Sequence, residues 1–310
     1  MQNFVALKAA LQPFKLDQDA QQSSADVREY LRFYQLDNLP GLHNIGWILC
    51  DSRKLAVQCW RPASPVGTVL VVHGYYDHVG LYGHLIRFFL EQGYAVLAFD
   101  LPGHGLSDGE SAAIDSFDEY GAAIHAVITA CKSRLPTPWI ACGQSTGCAA
   151  LLNFLLSVSD QPLRKLVLLA PLLRPHAWAN SGRWAYLLLH RVIKKLPRQF
   201  HDNSHDARFV AFCRHTDPLQ SRWLMVNWIS AMKHWLDGFD AQPTLAISSL
   251  IVQGEQDTTV DWRYNIPHIQ QKLPGAQLHY LGDARHHLAN ESAGIRDRLW
   301  HILKSYLAEQ

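Results

Sequence analysis

The chain has 310 residues, 48% of them hydrophobic and 18% charged, with a formal net charge of +1. That length and apolar content suit one α/β core carrying an insertion, and the near-neutral charge argues against a nucleic-acid partner, which would need a clustered basic face. The six cysteines, at positions 50, 59, 131, 142, 148 and 213, form no CxxC pair, so they read as small core residues of a reduced compartment.

The first twenty residues, "MQNFVALKAALQPFKLDQDA", are too polar for a signal peptide. No apolar run reaches the roughly 18 residues of a membrane span. A soluble, cytoplasmic protein is expected, with a peripheral membrane contact left open. Residues 1 to about 40 read as helix and loop, and "DVREYLRFYQL" has helical apolar spacing. "GWILCDSRKLAVQCWRP" predicts a hairpin around Asp51-Ser52-Arg53. "GTVLVVHG" and "YAVLAFD" are continuous apolar runs that predict buried strands, separated by the amphipathic helix "LYGHLIRFFLEQG". A helix with Ser116 as N-cap follows, then the strand "PWIACG", the helix "STGCAALLNFLLSV" and the strand "LRKLVLLAP".

Strands alternating with helices imply a parallel sheet. The rhythm breaks over about 171–243, which shows no strand signature and is rich in tryptophan. It resumes with "SSLIVQGEQD", a helix from about Trp262, the strand "AQLHYL" and a C-terminal helix. The division is therefore a core over 1–170 (with a helical extension over 1–44), a helical cap over 171–243, and the rest of the core over 244–310.

Within "IACGQSTGCAALL", Ser145 stands between Gly143 and Gly147 at a strand-to-helix junction. The backbone must turn sharply there, bulky neighbours would collide, and the helix N-terminus offers N–H groups to a developing oxyanion. A serine hydroxyl needs a base, and the base an orienting carboxylate. Glu255, Asp257 and Asp261 follow one late strand, and His286 and His287 follow the next. One oxyanion donor should be the N–H of Thr146, directly after the nucleophile.

Four stretches, "VVHGYYDHVGLYGHL", "FDLPGHGLSDGE", "GQSTG" and "QGEQDTTV…GDARHHLANE", together resemble the α/β-hydrolases related to monoacylglycerol lipase and bacterial lysophospholipase, of the serine aminopeptidase S33 type. The likeness spans roughly residues 45–170 and 245–305. It implies an α/β-hydrolase fold: a mostly parallel eight-stranded sheet flanked by helices, with a helical cap inserted after the sixth strand. It implies Asp257 as the acid, leaving Asp261 to cap the helix at Trp262, and His286 as the base. The second oxyanion donor is then the N–H of Tyr75, in a turn shaped by His73-Gly74. Asp77 and His78 read as loop scaffolding, and "DLPGHGLSDG" as a structural loop. His287 reads as a solvent-facing or loop-stabilising histidine.

"SGRWAYLLLHRVIKKLPRQF", Ser181 to Phe200, reads as a basic amphipathic helix. As a lid, its Trp184, Leu187 and Leu188, with the side chain of Tyr75, would line an acyl site. The expected function is a serine carboxylic-ester hydrolase acting on a monoacylglycerol or lysophospholipid through an acyl-enzyme. The alternatives are a proline-iminopeptidase-like aminopeptidase, which could hold its amine with Asp202, Asp206, Asp217, Asp237 or Asp240, and a C–C hydrolase. A non-enzymatic scaffold would have no reason to keep Ser145, Asp257 and His286 together. Ser145 also argues against epoxide hydrolase and dehalogenase chemistry, which uses Asp there. No cofactor is expected. "HDNSHD" offers histidines at i and i+4 but no third metal ligand. Oligomeric state leaves no trace in these motifs.

Overall fold

The computed structural model of the protein describes residues 4–16, 24–178, 182–190 and 192–309. In chain order the elements are α1 (Val5–Ala10), α2 (Ala25–Phe33), β1 (Leu42–Cys50), β2 (Arg53–Arg61), β3 (Thr68–Val72), α3 (Gly83–Glu91), β4 (Ala95–Phe99), α4 (Asp118–Cys131), β5 (Trp139–Gln144), α5 (Thr146–Ser157) and β6 (Leu163–Leu169). The cap then holds α6 (Gly182–Leu189), β7 (Lys195–Pro197), α7 (Ala207–Ala211), β8 (Trp223–Met225) and α8 (Val226–Phe239). The core closes with β9 (Ser248–Gly254), α9 (Trp262–Lys272), β10 (Gln277–Leu281) and α10 (Ala293–Ala308).

Eight strands form one sheet in the order β1-β2-β4-β3-β5-β6-β9-β10. The β1–β2 and β2–β4 pairings are antiparallel, and all others are parallel. The runs "TVLVV" and "AVLAF" are buried along their whole length because helices cover both faces. Side chains alternate between those faces with period two. Leu70, Val72 and Leu97 pack with Tyr120 and Phe154 of α4 and α5, whereas Val69, Val71 and Val96 pack with Phe89 of α3 and Leu299 of α10.

The candidate site lies past the carboxyl ends of β5, β9 and β10, where ligands of parallel sheets bind. Among the described residues no helix is long and apolar enough to cross a membrane.

Three local expectations need correction. The segment between β6 and β9 is not free of strands: β7 and β8 pair antiparallel. At three residues each they are too short to show a period, and Pro197, which lacks an amide proton, stands at the ribbon's end. Among its described residues, the amphipathic stretch over 181–200 is helical only over Gly182–Leu189. Asp261 does occupy the N-cap position of α9, but its carboxylate takes Arg174 instead of the helix amides, at 2.9 and 2.6 Å. Ser116 lies just ahead of α4 and accepts the Asp118 N–H, while the Glu119 carboxylate accepts the N–H groups of Asp115 and Ser116, a reciprocal arrangement close to a capping box.

Candidate active site

Ser145 has φ 56° and ψ −115°, a conformation rarely adopted by L-residues. Glycine on either side lets the backbone pass this closely. A methyl group on Gly147 would stand 2.1 Å from the Val72 carbonyl oxygen, and one on Gly143 would stand 2.7 Å from the Cys148 nitrogen. The turn is pinned on both sides, since the Ser145 N–H donates to Leu169 O at 2.9 Å and its carbonyl accepts from Cys148 N at 3.0 Å. The hydroxyl is thereby held at the sheet edge, beside the N-terminus of α5.

His286 Nε2 lies 2.9 Å from Ser145 Oγ, and His286 Nδ1 lies 2.7 Å from Asp257 Oδ2. All three residues are buried. Asp257 Oδ1 accepts the N–H groups of Thr259 and Val260, at 2.7 and 3.1 Å, which keeps the carboxylate an acceptor. Nδ1 of His286 therefore carries the proton, and Nε2 presents a lone pair to the serine hydroxyl.

Two glutamines that sequence reasoning missed support this line. Gln144 donates to the His286 carbonyl at 2.9 Å, and Gln253 donates to Asp257 Oδ2 at 3.1 Å. Each is one polar side chain just after the apolar run of its strand, and that is its only sequence signal.

The loop after β3 passes close over the serine: a methyl group on Gly74 would stand 3.4 Å from Ser145 Cβ. Among the described residues neither the Tyr75 N–H nor the Thr146 N–H has an acceptor. Two unpaired backbone donors beside a nucleophile can receive an oxyanion. His73 shapes the turn as a neutral ring, its Nε2 accepting Leu101 N–H and its Nδ1 donating to Gly74 O. Burial, reinforced by His104, pulls the His73 pKa down to about 3.

The same loop carries two buried histidine–carboxylate contacts. Asp77 Oδ2 meets His287 Nε2 at 3.1 Å and the Tyr82 hydroxyl at 2.9 Å. Burial pushes the Asp77 carboxyl up, but His287 and its hydrogen bond override this and hold it well below the usual carboxylate range. His287 is thus buried and linked to the loop, not solvent-facing. His78 Nε2 meets Asp217 Oδ2 of the cap at 2.9 Å, and the Tyr34 hydroxyl donates to Asp217 Oδ1 at 2.7 Å.

Tyr75 donates through its hydroxyl to Ala112 O, and its ring stacks on Trp228 of the cap, 3.9 Å between centroids and 20° between planes. In the sequence Trp228 is one of several tryptophans of the 171–243 insertion, and its place on α8 brings it to Tyr75. Trp184 and Leu187 stand on α6, 68% and 42% exposed. The Leu188 side chain lies outside the described residues. Among the described residues no cluster could hold a metal ion, and His205 turns instead to Glu291 at 3.1 Å. A cavity of about 570 Å³ opens elsewhere, bordered by Tyr34, His84, Arg87, Arg208, Phe209 and Arg296, and no triad residue lines it.

This sheet order, with a strained serine elbow after β5 and a cap between β6 and β9, defines an α/β-hydrolase. The serine aminopeptidase S33 profile matches residues 63–293, and the chain belongs to that family. It is 24% identical over 291 residues to the monoglyceride lipase of Homo sapiens, covering 88% of this chain and 91% of that protein. It is 30% identical over 126 residues to an uncharacterized abhydrolase domain-containing protein of Dictyostelium discoideum, a stretch that is 40% of this chain but only 13% of that protein. The structure of a soluble variant of Saccharomyces cerevisiae monoglyceride lipase shares the fold, with a TM-score of 0.72 at 18% identity over 85% of this chain and 93% of that one.

Proposed function

We propose that the protein hydrolyses carboxylic esters of lipid-like monoesters, a monoacylglycerol or a lysophospholipid, through a Ser145–His286–Asp257 triad. The observation that carries the reading is the unbroken line from Asp257 Oδ2 through His286 to Ser145 Oγ, with contacts of 2.7 and 2.9 Å. Ser145 Oγ attacks the ester carbonyl carbon as its proton passes to His286 Nε2, and the oxyanion rests on the N–H groups of Tyr75 and Thr146. The tetrahedral intermediate expels the alcohol, which takes the proton from Nε2 and leaves an acyl-serine. Water, deprotonated by the same nitrogen, then releases the acid.

The aminopeptidase reading needs a free carboxylate in the cap for the substrate amine. Each candidate is already engaged: Asp202 with Arg214, Asp206 with the first amides of α7, Asp217 with His78 and Tyr34, Asp237 with Lys233, and Asp240 with His268. Tyr75 stacks on Trp228, which in turn meets Phe117, and this apolar cluster favours an acyl chain over an ammonium group. The exposed apolar residues of the cap, lying among Lys194, Lys195 and Arg222, fit a contact with the lipid surface that holds such substrates.

The test is labelling with a fluorophosphonate beside turnover of oleoyl esters and prolyl anilides. Ser145→Ala should abolish labelling and ester hydrolysis, with a loss of about 10⁴–10⁶ in kcat. Full labelling of that variant, or a preference of the wild type for prolyl anilides, would overturn the reading.

A further inference from the structure

Arg198 follows β7 and is half-buried, yet a guanidinium stays charged at any working pH. A cation partly withdrawn from water favours an opposite charge nearby. Arg198 has none: among the described residues it forms no ion pair. Its Nη1 donates to the neutral Gln220 Oε1 and to the Ser221 carbonyl. Its Cζ lies 3.9 Å from the centre of the Tyr76 ring and 4.2 Å from that of Phe200. Arg222 approaches the same Phe200 ring, at 5.1 Å, and so adds like charge. Burial pulls the Arg198 pKa down, and Arg222 pushes the same way. The carboxylate in its field, Asp77, is already taken by His287 and Tyr82.

Both named hydrogen bonds leave from Nη1. Nε and Nη2 donate to nothing among the described residues, and neither is sealed from solvent. That edge of a guanidinium takes a carboxylate or phosphate side-on through two parallel bonds. Its position is also telling. The Tyr76 ring beneath Arg198 lies 4.1 Å from the Tyr75 ring, and Tyr75 carries the candidate oxyanion donor. Tyr76 itself is held at φ 71°. Tyr75 thus divides two environments, with Trp228 stacked on it and Arg198 reached through Tyr76. An ester with one apolar and one charged half matches that division.

We propose that Arg198, with Arg222 beside it, binds an anionic group on the alcohol half of the substrate. The preferred substrate is then an acyl ester whose head group carries phosphate or carboxylate, in place of a neutral glyceride. This rests on the ester-hydrolase reading above and narrows it.

The experiment compares kcat/KM on 1-oleoylglycerol, 1-oleoylglycerol 3-phosphate and 3-oleoylglycerate, with active sites counted by fluorophosphonate so that only folded protein contributes. The wild type should favour an anionic ester, and the better of the two identifies phosphate or carboxylate as the group bound. Arg198→Met should shrink the ratio of anionic to neutral kcat/KM roughly 10- to 100-fold, chiefly through KM. Arg198→Lys should restore only part of it, because a point charge lacks the fork. Arg222→Gln should shrink the ratio less, and it decides the matter if the Arg198 variants do not fold. A wild type that prefers the neutral ester, or variants that slow all three esters equally, would overturn the proposal and leave the hydrolase reading standing. A labelled enzyme that cleaves none of the three would instead remove the lipid-ester reading itself.

Discussion

His287 Nε2 donates to Asp77 Oδ2 at 3.1 Å, so the residue next to the candidate base is tied to the loop that carries the candidate oxyanion donor. The carboxylate also receives the Tyr82 hydroxyl, and the Asp77 N–H returns to Gly74 O at 3.1 Å, which braces the turn at Tyr75. A loop displaced by an ångström would misplace one of two donors while leaving Ser145 and His286 in contact. Asp77→Asn and His287→Phe should therefore lower kcat on an oleoyl ester roughly 10²-fold with little change in KM. Steady-state kinetics on the purified variants checks this, and a full kcat in Asp77→Asn would show that the pair does not position the donor.

The elbow makes a prediction about stability. Gly147 leaves no room for a side chain, since a methyl group would meet the carbonyl oxygens of Val72 and His73 at 2.1 and 2.6 Å. Both are backbone atoms of or next to the central strand β3 and cannot swing aside. Gly147→Ala should destabilise the protein by about 3 kcal/mol or more, by analogy with overpacked cores. Urea denaturation followed by tryptophan fluorescence measures it. An unchanged midpoint would mean that β3 and α5 can part at no cost.

These glycines also show why the elbow was legible in the sequence. Close backbone approach restricts positions 143 and 147 to one residue type, and that restriction is local in sequence. The buried strands "TVLVV" and "AVLAF" were legible for a similar reason, because burial on both faces demands an unbroken apolar run. Pairings between distant segments leave no such trace. His78 and Asp217 are 139 residues apart, and neither is marked by its neighbours as half of a buried pair. Nothing near Arg198 in the sequence announces that it will lie on Tyr76. Gln144 and Gln253 were missed because one polar residue at a strand end carries no period. The cap was misread where β7 and β8, three residues each, fell below the length at which alternation can be seen.

The His78–Asp217 pair predicts a pH dependence. Burial lowers the His78 pKa, but Asp217 overrides it and the result lies above the ordinary 6.5. Its contribution to stability is therefore complete below about pH 6.5 and fades as pH rises through the raised folded value. Burial raises the Asp217 pKa, but His78 and Tyr34 override that, and the result lies below the ordinary 3.8. Its contribution is present above about pH 4 and fades on acidification through the depressed value. Between those limits Asp217→Asn, which leaves a buried charge unpaired, should cost about 3–5 kcal/mol. The deficit should shrink as the solution is made alkaline. Denaturation curves of both proteins at pH 6 and pH 9 check the sign, and an equal deficit at both would mean that the ion pair is not its source.

The cap exposes apolar side chains close in sequence to lysines. Trp184, Val192 and Trp223 are 68%, 82% and 42% exposed, and Lys194 and Lys195 stand beside them in the chain. Lys195 Nζ lies 4.5 Å from the Trp223 ring, so cation and apolar surface are interleaved. Exposed apolar groups that insert into a bilayer gain roughly 1.5–3 kcal/mol each on full burial, and each lysine near an anionic surface adds about 1 kcal/mol. Trp184→Glu should therefore weaken sedimentation with vesicles of any charge, by about tenfold or more in partition coefficient. Lys194→Ser with Lys195→Ser should weaken it only on vesicles that contain anionic lipid, and raised salt should mimic that loss. The two variants separate apolar insertion from surface charge. A wild-type protein that does not sediment with either kind of vesicle would place the lipid contact elsewhere than on this face.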